Sequence, residues 1–503
     1  MAEDTAVRAQ EEAAIERKLN WAHTTKVYTE HLWDHGKLCA NPHKGWYMHY
    51  YDNSIHRYWN TIEPGDYLED FPGMDHLYLR LAWSYLEPEE GKFDWEIIDR
   101  VIREWTPRGY GISFRISCME AGVDQPFATP RWVMEAGAKG EFIVPCYSSE
   151  HKEGQLNWEP DYGDPVFLEK LEQFHRVFAA RYAAEPWFRY IDIGSYGVWG
   201  EGHTICSSQR DWPAEVIKKH IDLHRQVYPD ALVVVSDELI NMRIYTTEDH
   251  EDTADELQRY VLDNKLGLRD DTISVPGIQR ETSFHHLRSA ELYEYFWRDT
   301  PVNLELHHYE DALARGGWED GVPLTGALRE SHATYLGFHG SPGDFLKDNP
   351  KLAVDLANRA GYWYFIKSVE HSRRLGPDGE LKLRLVWENH GAAPSYRSFG
   401  LTVKVELLDE GAGACGPAGG GGRTYHREHV PMSGNLNWLP GGIKDETYRL
   451  RLPEAFRGRT CSLKVRLLDE GGHEPVLIEL GLTDRVRDEE GFYQVTVMEF
   501  IGG

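Results

Sequence analysis

The feature that most constrains this chain is an alternation of two hydrophobic periods between residue 41 and about residue 372. Runs with a period of two, the signature of a strand, occur at 46–51, 77–83, 111–117, 189–194, 231–238, 272–275, 302–307 and 332–339. Helix-type segments lie between most of them, the clearest over 95–102, 165–184 and 213–227. Strands separated by helices imply a parallel sheet, because a parallel crossover needs a helix-length connection. Eight such units predict an α/β fold, a (β/α)8 barrel. The alternative is an open doubly wound sheet, but no Gly-x-Gly-x-x-Gly follows an early strand.

Two further segments flank the barrel. Residues 1–40 are read as an N-terminal helical arm, charged and helix-forming over 2–19. A last helix from Leu352 to about His371 is expected to close the barrel, giving a catalytic domain over 41–372. After the turn Gly376-Pro-Asp-Gly379 the period becomes two and stays so. Val403-Lys-Val-Glu-Leu-Leu-Asp-Glu-Gly411 recurs as Leu463-Lys-Val-Arg-Leu-Leu-Asp-Glu-Gly471, which predicts matching strands of an antiparallel β-sandwich over 373–503. That domain is read as accessory, without chemistry of its own. The Gly-rich run 411–422 reads as a hairpin tip; no Lys-Ser/Thr follows it, so it is not a phosphate loop.

Composition excludes some partners. Lys and Arg total 54 against 82 Asp and Glu, a formal charge of -28, so nucleic acid and anionic membrane are not expected partners. The six cysteines show no Cys-x-x-Cys spacing and are read as mostly free thiols, with no structural zinc. The N-terminus as given lacks a signal-peptide pattern and no window is apolar over 18 residues. The expectation is cytoplasmic, or secreted if a leader was removed.

Barrel chemistry sits at the C-terminal ends of the strands. After strand four, Gly197, Gly200 and Gly202 bracket Trp199 and Glu201. Glycines let the backbone turn and approach a ligand; an indole stacks on a pyranose while a carboxyl moves a proton. In strand seven, Val302, Leu304 and Leu306 form one face, which turns Glu305 inward. Arg80 on strand two and Arg115 on strand three share that parity, and either is expected to hold Glu305 ionised. A less compensated Glu201 would then keep its proton. Two carboxyl groups set apart in this way give a general acid, Glu201, and a nucleophile, Glu305. An ion pair with an inward arginine is the structural alternative for Glu305.

Supporting roles follow from position. Trp158 and Trp199 are stacking platforms or core residues. His203, His307 and His308 bind hydroxyls or tune the carboxylates. Asp237 and Glu238 close strand five, with one facing the site. Loops at about 120–163 and 279–290 narrow the mouth to a pocket, which suits exo action. No cofactor and no metal are expected; the partner is a carbohydrate.

The segment Leu81-Ala-Trp-Ser-Tyr-Leu-Glu-Pro-Glu-Glu-Gly-Lys-Phe-Asp-Trp95 resembles the second-strand signature of the family-42 and family-35 β-galactosidases of glycoside hydrolase clan A. Asn41-Pro-x-x-Gly-Trp46, Tyr196-Gly-Val-Trp-Gly-Glu-Gly-His203 and Glu388-Asn-His-Gly-Ala-Ala-Pro394 together resemble, more closely, a bacterial barrel-plus-sandwich family catalogued as a domain of unknown function. The resemblance implies a retaining two-carboxylate glycoside hydrolase acting on a neutral sugar or oligosaccharide. Two positions differ from the clan: Gly200 stands where Asn usually precedes the acid, and Gly337-Phe-His339 ends strand eight where many members carry Trp. The rival readings are a non-catalytic carbohydrate-binding barrel and a metal-dependent barrel hydrolase. The latter would need His-x-His after strand one, where the chain has only His49 with Tyr51.

Overall fold

A computed structural model describes residues 23–52, 55, 68–121, 126–144, 156–240, 251–276, 287–408, 424–432, 434–472 and 475–501. The chain divides into two compact units. One is Ala40–Tyr362; the other joins the residues up to Cys39 with those from Trp363 onward.

The first unit is a closed barrel of eight parallel strands: Gly45–Tyr51, Met74–Ala82, Gly111–Ser117, Phe188–Asp192, Leu232–Ser236, Gly267–Ile273, Val302–Leu306 and Tyr335–Phe338. Each pairs with the next in sequence, and the eighth closes on the first with Leu336 opposite Trp46. The crossover helix Pro165–Tyr182 shows how local sequence sets its ends. Asp164 accepts the amides of Val166 and Phe167, and Pro165 occupies the first turn, where it forfeits no bond. Its Phe167, Leu171, Phe174 and Phe178 form the buried stripe.

Inside the barrel, Tyr47, Tyr78, Tyr190, Val234 and Tyr335 pack into one apolar layer. Gly337 lets that layer close: a Cβ there would meet the Tyr47 hydroxyl at 2.4 Å. Above it the inward residues become charged, which is unusual for a core and marks the functional end.

Three expectations need correction. Strand six was read over 272–275, yet it runs Gly267–Ile273, because its inward positions are Arg269 and Asp271 and give no apolar alternation. Asp237 and Glu238 do not extend strand five; they begin a helical turn, Asp237–Ile240. The last helix ends at Arg359 and does not reach His371. Gly361 turns the chain at φ +74, and the aromatic and β-branched residues that follow form the strand Tyr364–Ser372.

That strand lies in the second unit, which has two antiparallel sheets. Four strands, Thr24–Tyr28, Tyr364–Ser372, Glu380–Asn389 and Ile443–Arg451, form one sheet. The five-stranded sheet centres on Phe399–Leu407 beside Thr460–Asp469. The repeated segments are therefore neighbours, with Val403 opposite Val465 and Leu401 opposite Leu467. The arm expected to be helical over 1–40 supplies an edge strand at Thr24–Tyr28, since Thr-Thr-Lys-Val-Tyr is a β-type sequence; its 2–19 portion lies outside the described residues. So does the 411–422 run. Cys39, Cys118, Cys206 and Cys461 are buried; Cys146 and Cys415 lie outside the described residues. Among the described residues no helix is long and apolar enough to cross a membrane.

Candidate active site

At the C-terminal end of the barrel, side chains from six strands or the loops after them converge on two carboxylates. Glu305 projects inward from the seventh strand and is buried. Its Oε1 lies 3.4 Å from His339 Nδ1 and 3.7 Å from Arg80 Nη1; its Oε2 lies 3.4 Å from His49 Nε2 and 4.0 Å from Arg269 Nη1. Burial opposes the charge, but the His49 and His339 rings and Arg80 outweigh it and hold the carboxyl well below the usual range.

Glu201 follows the fourth strand on a tight loop. Gly197, Trp199, Gly200 and Gly202 all have positive φ, and a Cβ on Gly200 would lie 2.7 Å from the Gly194 backbone. The Asn common at this place in clan A would therefore be doubly strained here. Arg80 bridges the site: Nη2 donates to Glu201 Oε1 at 3.0 Å, and Nη1 lies 3.1 Å from Asp52 Oδ1. Arg115 Nη2 is 3.6 Å from the same Glu201 oxygen, and its other ion partners are Asp271 and Asp192.

This corrects the expected division of charge. Arg80 does reach Glu305 as an ion pair, but it sits closer to Glu201, and Arg115 pairs with Glu201 instead of Glu305. Strand parity turned both arginines inward; it could not say which carboxylate across the barrel each would meet.

His203 lies 3.6 Å from Glu201 and 3.8 Å from the buried Glu238, so these three cluster. Burial disfavours a charged His203, but Glu238 and then Glu201 raise its pKa overall. Trp199 is half-buried; its indole N–H donates to the Ala121 carbonyl at 3.1 Å and the ring packs by Met119 and Cys206. Trp158 is no stacking platform. It is 2% exposed in the hairpin pairing Gly140–Ile143 with Asn157–Pro160, against Phe127. His307 also leaves the site, because the strand ends at Leu306 and Asp311, one helical turn on, takes its Nε2. His308 remains, with its ring 3.5 Å from that of His339. The His339 charge, then burial, lowers its pKa to about 3. Of the loops expected to narrow the mouth, 122–125, 145–155 and 277–286 lie outside the described residues.

Five contributors escaped the sequence reading: His49, Asp52, Glu120, Arg269 and His339. Parity places His49 beside the inward Tyr47, and Arg269 on a correctly placed strand six. Asp52 and His339 each stand just past a strand end, where parity lapses. Glu120 is buried after the third strand, on a loop joined to the Glu201 loop through Met119 and Val198. Burial pushes its carboxyl up to about 8, against a bond from Ser117 and the Arg80 and Arg115 charges.

Two groups have metal-compatible spacing, His49–Glu305–His339 and Glu201–His203–Glu238. Neither fits a divalent ion well. Guanidinium groups already face both glutamates, and His339 meets a carboxylate at each ring nitrogen, leaving no lone pair to offer.

A glycoside hydrolase family-42 model, described as beta-galactosidase, matches residues 74–196, from the second strand to the edge of the Glu201 loop. Over that stretch the chain matches a glycosidase family. Among solved structures, the chain is similar to the catalytic domain of a β-amylase from Paenibacillus polymyxa (11% identity, 64% of this chain and 100% of that one, TM-score 0.39). It is also similar to β-galactosidases from Marinomonas ef1 (10%, 57% and 55%, TM-score 0.36) and Halorubrum lacusprofundi (12%, 57% and 53%, TM-score 0.35). It spans about half the length of each of these two β-galactosidases. No curated protein matches the sequence.

Proposed function

We propose that the protein is a retaining glycosidase for neutral β-glycosides, β-galactosides first among them, with Glu305 as nucleophile and Glu201 as acid/base. The observation that carries this reading is that one guanidinium, Arg80, contacts both carboxylates, at 3.0 and 3.7 Å. Carboxylates that share one guanidinium are near enough for the spacing of direct attack, about 5–5.5 Å, that a retaining mechanism needs. In the first step Glu305 bonds to the anomeric carbon, the glycosidic C–O bond breaks, and Glu201 gives its proton to the departing oxygen. In the second, water attacks that carbon, Glu201 takes the water's proton, and the electron pair of the ester bond returns to Glu305. A 2-deoxy-2-fluoro galactoside with a good leaving group should form an adduct that peptide mass spectrometry places on Glu305. Labelling elsewhere, or an inverted product anomer by NMR, refutes the assignment.

A second source of the proton is favoured by one observation. Glu201 faces two arginines, whereas Glu120 beside it is raised to about 8 and so carries a proton at neutral pH. Glu120→Gln and Glu201→Gln, assayed on aryl galactosides of poor and good leaving group, separate the two. The true donor is the one whose loss hurts only the poor leaving group.

A further inference from the structure

His339 stands one residue past the eighth strand, where its carbonyl accepts the Tyr309 amide at 2.9 Å. Its Nε2 is 2.7 Å from Asp52 Oδ2, and its Nδ1 is 3.4 Å from Glu305 Oε1. A neutral imidazole has one N–H and one lone pair, so with a carboxylate at each nitrogen it would turn its lone pair toward one of them. Only the doubly protonated ring satisfies both. The ring is also held in place: His49 stacks on it at 4.7 Å with 10° between planes, and His308 lies at 3.5 Å.

The groups facing it are Asp52, Glu305, His49 and His308. Arg80 lies behind Asp52 and Glu305, and Glu310 is engaged by the Ser341 amide. Burial disfavours the ring's charge, but Asp52 and Glu305 prevail and raise its pKa to about 9.

We propose that the Asp52–His339 pair acts through Glu305 to make it a good leaving group in the second half-reaction. This rests on the reading of Glu305 as nucleophile. In the glycosyl-enzyme the Glu305 carboxyl is an ester and carries no charge. As water's oxygen bonds to the anomeric carbon and the ester C–O bond breaks, the electron pair returns to Glu305 and the water's proton goes to Glu201. A cation already fixed on Oε1 stabilises the charge as it develops. In the first half-reaction the same contact is present in the ground state, where it stabilises the nucleophile and gives no acceleration. The pair therefore favours breakdown of the intermediate over its formation. His339 is a positioning residue, with Asp52 as the group that keeps it charged and oriented.

The test uses the full chain and a 2-deoxy-2-fluoro galactosyl adduct, whose formation and reactivation report the two half-reactions separately. His339→Gln should reactivate of the order of 100-fold more slowly than wild type, while its labelling rate changes less than about threefold. Asp52→Asn, which keeps the shape of the contact, should show a smaller loss in the same step. It should also move the alkaline fall of wild-type reactivation, expected below pH 9 because the esterified Glu305 no longer helps to hold the charge, to still lower pH. Reactivation that is unchanged in both variants overturns the proposal. So does a parallel loss in labelling and reactivation, the pattern of mere structural damage. If wild type labels at a residue other than Glu305, the nucleophile assignment fails first, and that outcome is distinguished by the site of the adduct.

Discussion

The two units bury their inward rows in opposite ways. In the two-sheet unit the inward rows are apolar: Leu381, Leu383 and Leu385, then Leu401, Val403 and Val405, then Leu463, Val465 and Leu467. Its charges pair on the other faces, as in Lys464–Glu406 at 3.0 Å and Lys404–Glu490 at 2.8 Å. The barrel instead sets Arg80, Arg115, Asp192, Arg269, Asp271, Glu305 and His49 above a tyrosine layer, all buried. Arg269 Nε reaches Asp192 Oδ2 at 2.6 Å, and the Tyr78 hydroxyl donates to the same oxygen at 2.6 Å. Apolar rows need only fit. Buried charges cost several kcal/mol each unless every one is paired, so an interior that keeps so many is arranged for chemistry and not for stability.

That contrast can be broken in graded ways. Glu305→Gln should remove turnover of every glycoside by about 10⁵-fold or more, and should also lower stability, because the surrounding cations lose their buried anion. A variant retaining a tenth of the activity would place the nucleophile elsewhere. Arg80→Ala strands Asp52, Glu201 and Glu305 without their shared cation. Chemical denaturation should show a loss of about 3–5 kcal/mol, together with loss of both half-reactions. Leu383→Ala, in the row 0% exposed in the second unit, should cost about 2–5 kcal/mol with kcat unchanged once the protein is folded. Lowering the pH should weaken the barrel first. The Asp52 and Glu305 carboxyls are held below their ordinary values, so their contribution is present above the unfolded pKa of about 4 and fades as pH falls through the folded values. Hydrogen exchange at acid pH should open the seventh strand before the Phe399–Leu407 strand. The smallest effect is expected on the outer face: Arg384→Ala, which loses a half-exposed pair with Asp445, should cost under about 1 kcal/mol.

Local pattern determined a good deal by itself. A period of two with side chains alternating across the sheet is a property of the strand alone, so it was enough to number eight strands and turn Arg80, Arg115 and Glu305 inward. Gly197, Gly200 and Gly202 marked the Glu201 loop because positive φ is a local demand, and the repeat at 403 and 463 announced two like strands. Tertiary structure decided what those residues meet. Arg80 and Glu305 are 225 positions apart in sequence, and nothing in either strand's period records that Arg80 leans nearer to Glu201. Asp52 and His339 lie just beyond strand ends, where the backbone leaves the pleat and parity no longer predicts direction. Trp158 fitted a sugar platform and a core residue equally well, and the hairpin that closes around it decides for the core. The segment 364–371 falls within the last helix expected from the sequence, Leu352 to about His371. Its partners, Thr24–Tyr28 and Glu380–Asn389, supply the backbone hydrogen bonds that make it a strand. Direction along a chain is written locally; the distance between two side chains is a property of the closed barrel, and only folding sets it.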